Sequence, residues 1–310
     1  MGIPSRARTA FIGVGLGLIA LAGTWYAAHE VARLRSVDVN VLLGFLELNR
    51  PQLDWIANGL VWLCDPTHYV VLAAIPVLIA LLRGRRRVAV AALALLAGAN
   101  ASTELLKPLL GGPRDQVPGI ALGHATWPSG HSTASMTLAL ALIVCVPSRW
   151  RPVVSALGAL FTLGVVYSLL ALGAHYPSDV LGGFGMAAVW TLFVLGVLWT
   201  YEAHRPALVA RLSAAGARLT PAQALAPTLV AVVGILAAGG LVLALRPRAL
   251  VDFAGSHPAF LTGACALAAL SFGGAAGLSL LLGRSPGPRS GSGRAPTEAH
   301  RPRPPRSLPG

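Results

Sequence analysis

Lys107, Arg114, Ser129, Gly130, His131, His175 and Asp179 are the residues of this 310-residue chain whose types and spacing suit chemistry on an anion. Trp127 to Thr133 reads W-P-S-G-H-S-T at the mouth of the apolar run 134–146. Pro128 suits a helix start, and Gly130 lets backbone come close to a ligand. The free N–H groups of a helix N-terminus attract an anion, of which phosphate is a common one. His131 brings a group that carries a proton near neutral pH. Lys107 and Arg114 precede this stretch, and His175 and Asp179 follow it. Together they make a phosphoryl-handling set. Cations and N–H groups hold phosphoryl oxygens, one histidine attacks phosphorus with Asp179 fixing its tautomer, and a second protonates the leaving oxygen. That chemistry requires no metal and no cofactor. Of the 24 basic residues Lys107 is the only lysine, as expected of a site that wants a compact ammonium rather than a planar fork.

The elements that must position these residues are membrane helices. The chain is 55% hydrophobic and 11% charged, under half the charge of a soluble domain, which is about 25%. Apolar runs at 10–28, 69–82, 88–106, 132–146, 153–172, 180–199, 228–245 and 260–282 read as spans. The organisation this suggests is a short N-terminus (1–9), a six-span core (10–200), a basic amphipathic segment (201–226), two additional spans (227–282) and a Pro/Arg-rich disordered tail (283–310). Between the first two spans, Val37, Val41, Leu42, Phe45, Leu46 and Leu48 suggest a helix lying along the membrane surface. The net charge of +13 does not point to nucleic acid. The arginines cluster between spans and in the tail, where the positive-inside rule and anionic lipid account for them. That rule puts both termini and Arg83–Arg87 in the cytoplasm. It puts every candidate site residue at the opposite ends of the helices. Cys64, Cys145 and Cys265 have no metal or disulfide spacing and read as small apolar residues.

Lys107-x6-Arg114, Pro128-Ser129-Gly130-His131 and Ser168-x6-His175-x3-Asp179 match, in order and spacing, the three motifs of the type 2 phosphatidic acid phosphatase superfamily, which this chain resembles. The resemblance implies an all-α, multi-pass helix bundle with a six-helix phosphatase core. It implies roles as well. Lys107, Arg114, Ser129 and the Gly130 backbone would bind phosphate, and His131 would be the general acid. His175 would be the nucleophile, oriented by Asp179, and would form a phosphohistidine. The substrate would be a phosphomonoester or diphosphate on a lipid: polyprenyl diphosphate, phosphatidate or phosphatidylglycerophosphate. The chain departs from the family pattern twice, with Asp115 in place of Pro and Leu169 in place of the motif-three Arg, a phosphate ligand in the family. These departures keep two alternatives open: a phosphotransferase between lipid carriers, and a catalytically impaired lipid-phosphate-binding or transport protein. The setting expected from the Arg- and Ala/Gly-rich composition is a bacterial plasma membrane, with the site on the extracytoplasmic face. Glu104 reads as an i, i+3 partner of Lys107, His124 as a loop residue and Ser168 as a helix-packing residue.

Overall fold

The computed structural model describes residues 3–117, 120, 122–123, 125–204 and 220–283. The described residues form eleven α-helices: α1 (Ser5–Glu30), α2 (Ala32–Glu47), α3 (Asp54–Trp62), α4 (Pro66–Leu82), α5 (Arg86–Leu110), α6 (Gly130–Cys145), α7 (Arg151–Ala171), α8 (Pro177–Ala203), α9 (Pro221–Leu245), α10 (Pro247–Ser256) and α11 (Pro258–Gly283). The expectations for the segment 205–219, for the tail from 284 onward and for His124 lie outside the described residues.

Six helices, α1, α5, α7, α8, α9 and α11, are long and apolar enough to cross a membrane. The other two expected spans differ. The run at 69–82 belongs to α4, which meets α3 at a bend of 62°, a broken span or re-entrant pair in place of a free-standing helix. Asp65 and Pro66 cause the break, because Pro starts a helix and cannot continue one. The run at 132–146 is α6, with 16 residues. At 1.5 Å per residue it is about 24 Å long, short of the ~30 Å hydrocarbon layer. It is apolar on nearly all sides, as a helix enclosed by others must be. Thirteen of its residues are buried, among α4, α5, α7 and α8.

Packing places two further segments. The apolar set of α2 divides: Val41, Leu42 and Phe45 are buried against the bundle, Phe45 on Tyr167 and Phe260, whereas Val37 and Leu48 stay exposed. The last span packs on the core. α11 packs along α7, α2 and α6, with Tyr167 Oη donating to the Ala264 carbonyl (2.7 Å) and Ser155 Oγ to that of Ala275 (3.3 Å). Its neighbour α9 turns Leu229, Val230, Val233 and Leu236 outward, as lipid-facing surface would.

The ends of the bundle carry different chemistry. At one end, Arg83 donates to the Cys145 carbonyl, Arg151 to that of Leu282, and Arg87 stacks on Tyr201. These cations sit on helix C-termini, which favour them. At the other end the last turn of α5, the first turn of α6 and the first turn of α8 converge. There α6 and α8 approach so closely that a Cβ on Gly183 would lie 2.8 Å from the Ser129 carbonyl oxygen and 3.0 Å from the Thr133 amide nitrogen. Backbone cannot yield as a side-chain tip does. Gly183→Ala therefore costs about 1–3 kcal/mol and lowers the thermal midpoint in detergent. Gly15→Ala on α1, where nothing stands within 4 Å, is the control and leaves the midpoint unchanged or raised.

Candidate active site

The long segment between α5 and α6 and the short one between α7 and α8 bring the seven expected residues to one end of the bundle. Lys107 sits in the last turn of α5 and Arg114 in the segment after it. Ser129 is the N-cap of α6, accepting from the Ser132 amide (3.3 Å) and from Ser132 Oγ (2.9 Å). Its own amide donates to the Asp179 carbonyl (2.9 Å), which ties the start of α6 to the start of α8. Pro177 opens α8, and the Asp179 carboxylate reaches back to accept from the Tyr176 amide (2.9 Å). One turn deeper, Thr103 and Thr133 share a hydroxyl bond of 3.1 Å between α5 and α6.

Two clusters result. The inner one is buried. Asp179 is fully enclosed, with Oδ2 on His175 Nδ1 at 3.4 Å, a long contact, and Oδ1 on Arg114 at 3.0 Å. Arg114 is itself 8% exposed and lies over the Tyr176 ring at 4.3 Å. Its second guanidinium nitrogen donates to Asp38 and to Ser178 Oγ (2.8 Å). Asp38, from α2, also accepts from the Ser178 amide (2.8 Å) and hydroxyl (2.6 Å). Burial pushes the Asp38 carboxyl up to about 6, against the opposite pull of Ser178 and Arg114. Arg114 is thus held by two carboxylates and a hydroxyl, and it presents no free fork toward a ligand.

The outer cluster is open. Lys107 Nζ meets Glu104 at 2.6 Å, and a Cβ on Gly130 would lie 3.2 Å from that ammonium and 2.9 Å from the Glu104 oxygen. Glycine at 130 is what allows Lys107 to lie over the first turn of α6. His131 Nε2 pairs with Asp65 at 2.9 Å, and its ring lies within electrostatic reach of His175 and Lys107. Lys107, Glu104, Gly130 and His131 close one end of a 750 Å³ groove between α4 and α5. Its walls are otherwise apolar, with Val70, Val77, Leu93 and Ala97 along them and Tyr69 and Asn100 as polar exceptions.

The two departures are placed as follows. Asp115 turns away from the site: its carboxylate lies 3.5 Å from Arg35 Nε, and its carbonyl accepts from Tyr176 Oη (2.6 Å). Leu169 is 1% exposed and belongs to the apolar core. Sequence reasoning missed Asp38, Asp65 and Ser178. Asp38 had no signal beyond being an acid in an amphipathic stretch. Asp65 before Pro66 reads as a helix cap, and nothing in its neighbourhood announces His131, 66 positions on.

Residues 87–203 match the model of the PAP2 superfamily, and all seven residues fall within that match. Residues 87–203 are therefore similar to the PAP2 superfamily, and they lie in a multi-pass, all-helical membrane protein. The crystal structure of a transmembrane PAP2-type phosphatidylglycerolphosphate phosphatase from Bacillus subtilis superposes with a TM-score of 0.50 at 21% identity, covering 65% of this chain and 99% of that one. At that identity the likeness is one of fold. No curated protein matches the chain.

The buried cluster yields a prediction. Asp38→Ala strands Arg114 with half its neutralising charge and leaves the Ser178 amide unpaired. Breaking a buried ion pair from one side costs about 3–5 kcal/mol, read as a fall in the thermal midpoint in detergent. Glu104→Gln breaks an exposed pair, 63% accessible on the Glu side, and changes stability by no more than about 1 kcal/mol.

Proposed function

We propose that the protein is a membrane lipid phosphatase that hydrolyses a phosphomonoester or diphosphate through a phosphohistidine. The observation that carries this reading is the groove: apolar walls open between α4 and α5, and Lys107, Gly130 and His131 stand at its end. Such a cleft accepts a hydrocarbon tail and delivers a phosphorylated headgroup to the helix mouth. Polyprenyl diphosphate, phosphatidate and phosphatidylglycerophosphate all have that form. The end rich in Arg83, Arg85, Arg86, Arg87, Arg149 and Arg151 is then cytoplasmic, and the site faces the other side.

In the proposed reaction, Asp179 keeps His175 protonated at Nδ1, so that Nε2 holds the lone pair. Nε2 attacks phosphorus as the bond from phosphorus to the leaving oxygen breaks. His131, as imidazolium, gives its proton to that oxygen. The neutral His131 then takes a proton from water, whose oxygen attacks the phosphohistidine. The P–N bond breaks, inorganic phosphate leaves, and both histidines return to their starting forms. Lys107 and the first amides of α6, Gly130 and His131, stabilise the equatorial oxygens. With Leu169 in the core and Arg114 bound to carboxylates, these donors carry most of the phosphoryl charge.

Phosphate release by purified protein from a panel of the three lipid classes tests the reading. Turnover that survives chelator and falls to background in His175→Ala supports it. Binding of the lipids with no turnover by any of them selects a lipid-phosphate-binding protein instead, and transfer of phosphate to an added acceptor without release selects a phosphotransferase. Filling the groove is the second test. Ala97→Trp raises KM for a long-chain lipid phosphate on the order of tenfold and leaves KM for a short-chain ester unchanged.

A further inference from the structure

The nucleophile of the proposed reaction has its carboxylate partner in the family motif, and the acid does not. We propose that Asp65 is the positioning residue for His131, so that the site contains two histidine–carboxylate dyads. The inference rests on the phosphatase reading above.

Three observations carry it. His131 Nε2 lies 2.9 Å from Asp65 Oδ1, a shorter contact than the 3.4 Å between His175 and Asp179. Asp65 is the N-cap of α4, and its side chain makes no capping bond. Aspartate at an N-cap ordinarily accepts from the helix's own amides. Here only its carbonyl serves the helix, accepting from the His68 and Tyr69 amides at 3.0 and 2.8 Å, while the carboxylate turns toward α6. Finally, the pair is partly exposed, at 26% and 42%, and such ion pairs contribute little as fasteners. A fastening role alone does not explain giving up the cap.

The consequence is chemical. A carboxylate on Nε2 favours the imidazolium and fixes the ring, so Nδ1 is the nitrogen left to donate to the leaving oxygen. The charged groups around His131 oppose one another. Asp65 ahead of α4 favours its proton, Lys107 in α5 and His175 ahead of α8 disfavour it, and Glu104 stands at the same groove end, tied to Lys107. Burial is the largest influence and lowers the His131 pKa even with Asp65 in place, so losing Asp65 disfavours the acid form further. Asp65 lies outside the matched segment, which starts at residue 87, so the acid's partner comes from the bent α3–α4 pair rather than from the motif region.

The test compares wild type, Asp65→Asn, Asp65→Ala and His131→Ala on two esters, a lipid alkyl phosphate and nitrophenyl phosphate, whose leaving group departs without a proton. Asp65→Asn and His131→Ala each lower kcat on the alkyl ester by about 100-fold, and both lower it by less than tenfold on the nitrophenyl ester. In Asp65→Asn the alkaline limb of the pH–rate profile moves down by about one pH unit. Equal losses on the two esters in Asp65→Asn, or an unmoved alkaline limb, overturn the proposal and leave Asp65 a structural tether. If wild type turns over neither ester, the phosphatase reading falls, and the dyad is decided by the NMR titration of His131 in labelled protein, assigned with His131→Ala. A downward shift of its midpoint in Asp65→Asn upholds the dyad, and an unchanged midpoint overturns it.

Discussion

The buried contact of Arg114 with Asp38 and Asp179 is the constraint from which the catalytic end takes its shape. A guanidinium with 8% exposure must have both charge and hydrogen bonds returned to it. Asp179 returns them from the first turn of α8 and Asp38 from α2, so the pair closes only when both helices are seated around the segment after α5. Ser178 adds amide and hydroxyl to the same cluster. Ion pairs of this sort add little net stability against an apolar replacement, and their contribution is register. This one sets where Asp179 stands, and Asp179 in turn sets His175 Nδ1 and, through its carbonyl, the Ser129 amide at the start of α6. One cation thus orders Asp179 and the start of α6 together.

Around that cluster, helix lengths decide where the chemistry meets the membrane. α6 is shorter than the hydrocarbon layer and enclosed by longer helices, so its N-terminus need not reach the bilayer surface. Its first amides are then sheltered from bulk water, where an N-terminal dipole and an ammonium act more strongly on a phosphoryl group. The groove between α4 and α5 solves the access problem that this creates. Under the proposed function, an anion on a long tail would reach a recessed helix mouth along these apolar walls.

What was legible in the sequence follows from how each feature is encoded. Spans of twenty or more apolar residues announce themselves by length, and α1, α5, α7 and α8 fell where the apolar runs lay. The Lys107–Arg114, Ser129–His131 and His175–Asp179 stretches were legible because each is local, a few residues at a helix end. Features set by packing were not. The seating of α2 on the bundle depends on Phe45 meeting Tyr167 and Phe260 from distant helices. The place of α11 against α7 depends on Tyr167 and Ser155 finding its backbone carbonyls. Asp38 is 76 positions from Arg114. No periodicity within α2 distinguishes an acid facing solvent from one facing a buried arginine.

The two departures from the family pattern are best understood as one electrostatic problem. An acid at 115 beside a phosphate ligand would repel substrate, and the structure removes the repulsion by giving that acid to Arg35 and pointing it outward. A leucine at 169 takes a fixed charge out of the phosphate clamp, and no arginine among the described residues stands in for it at the groove end. Lys107 is the only Lys or Arg among the groove-lining residues, with Glu104 at 2.6 Å offsetting its charge. Under the proposed function, a phosphoryl group arriving at Gly130 would compete with Glu104 for the same ammonium. A lysine suits that exchange better than an arginine, since a point charge on four flexible carbons passes from one anion to another without having to match a planar fork. Retaining lysine at 107, in a chain that uses arginine everywhere else, fits a cation that has to move between partners.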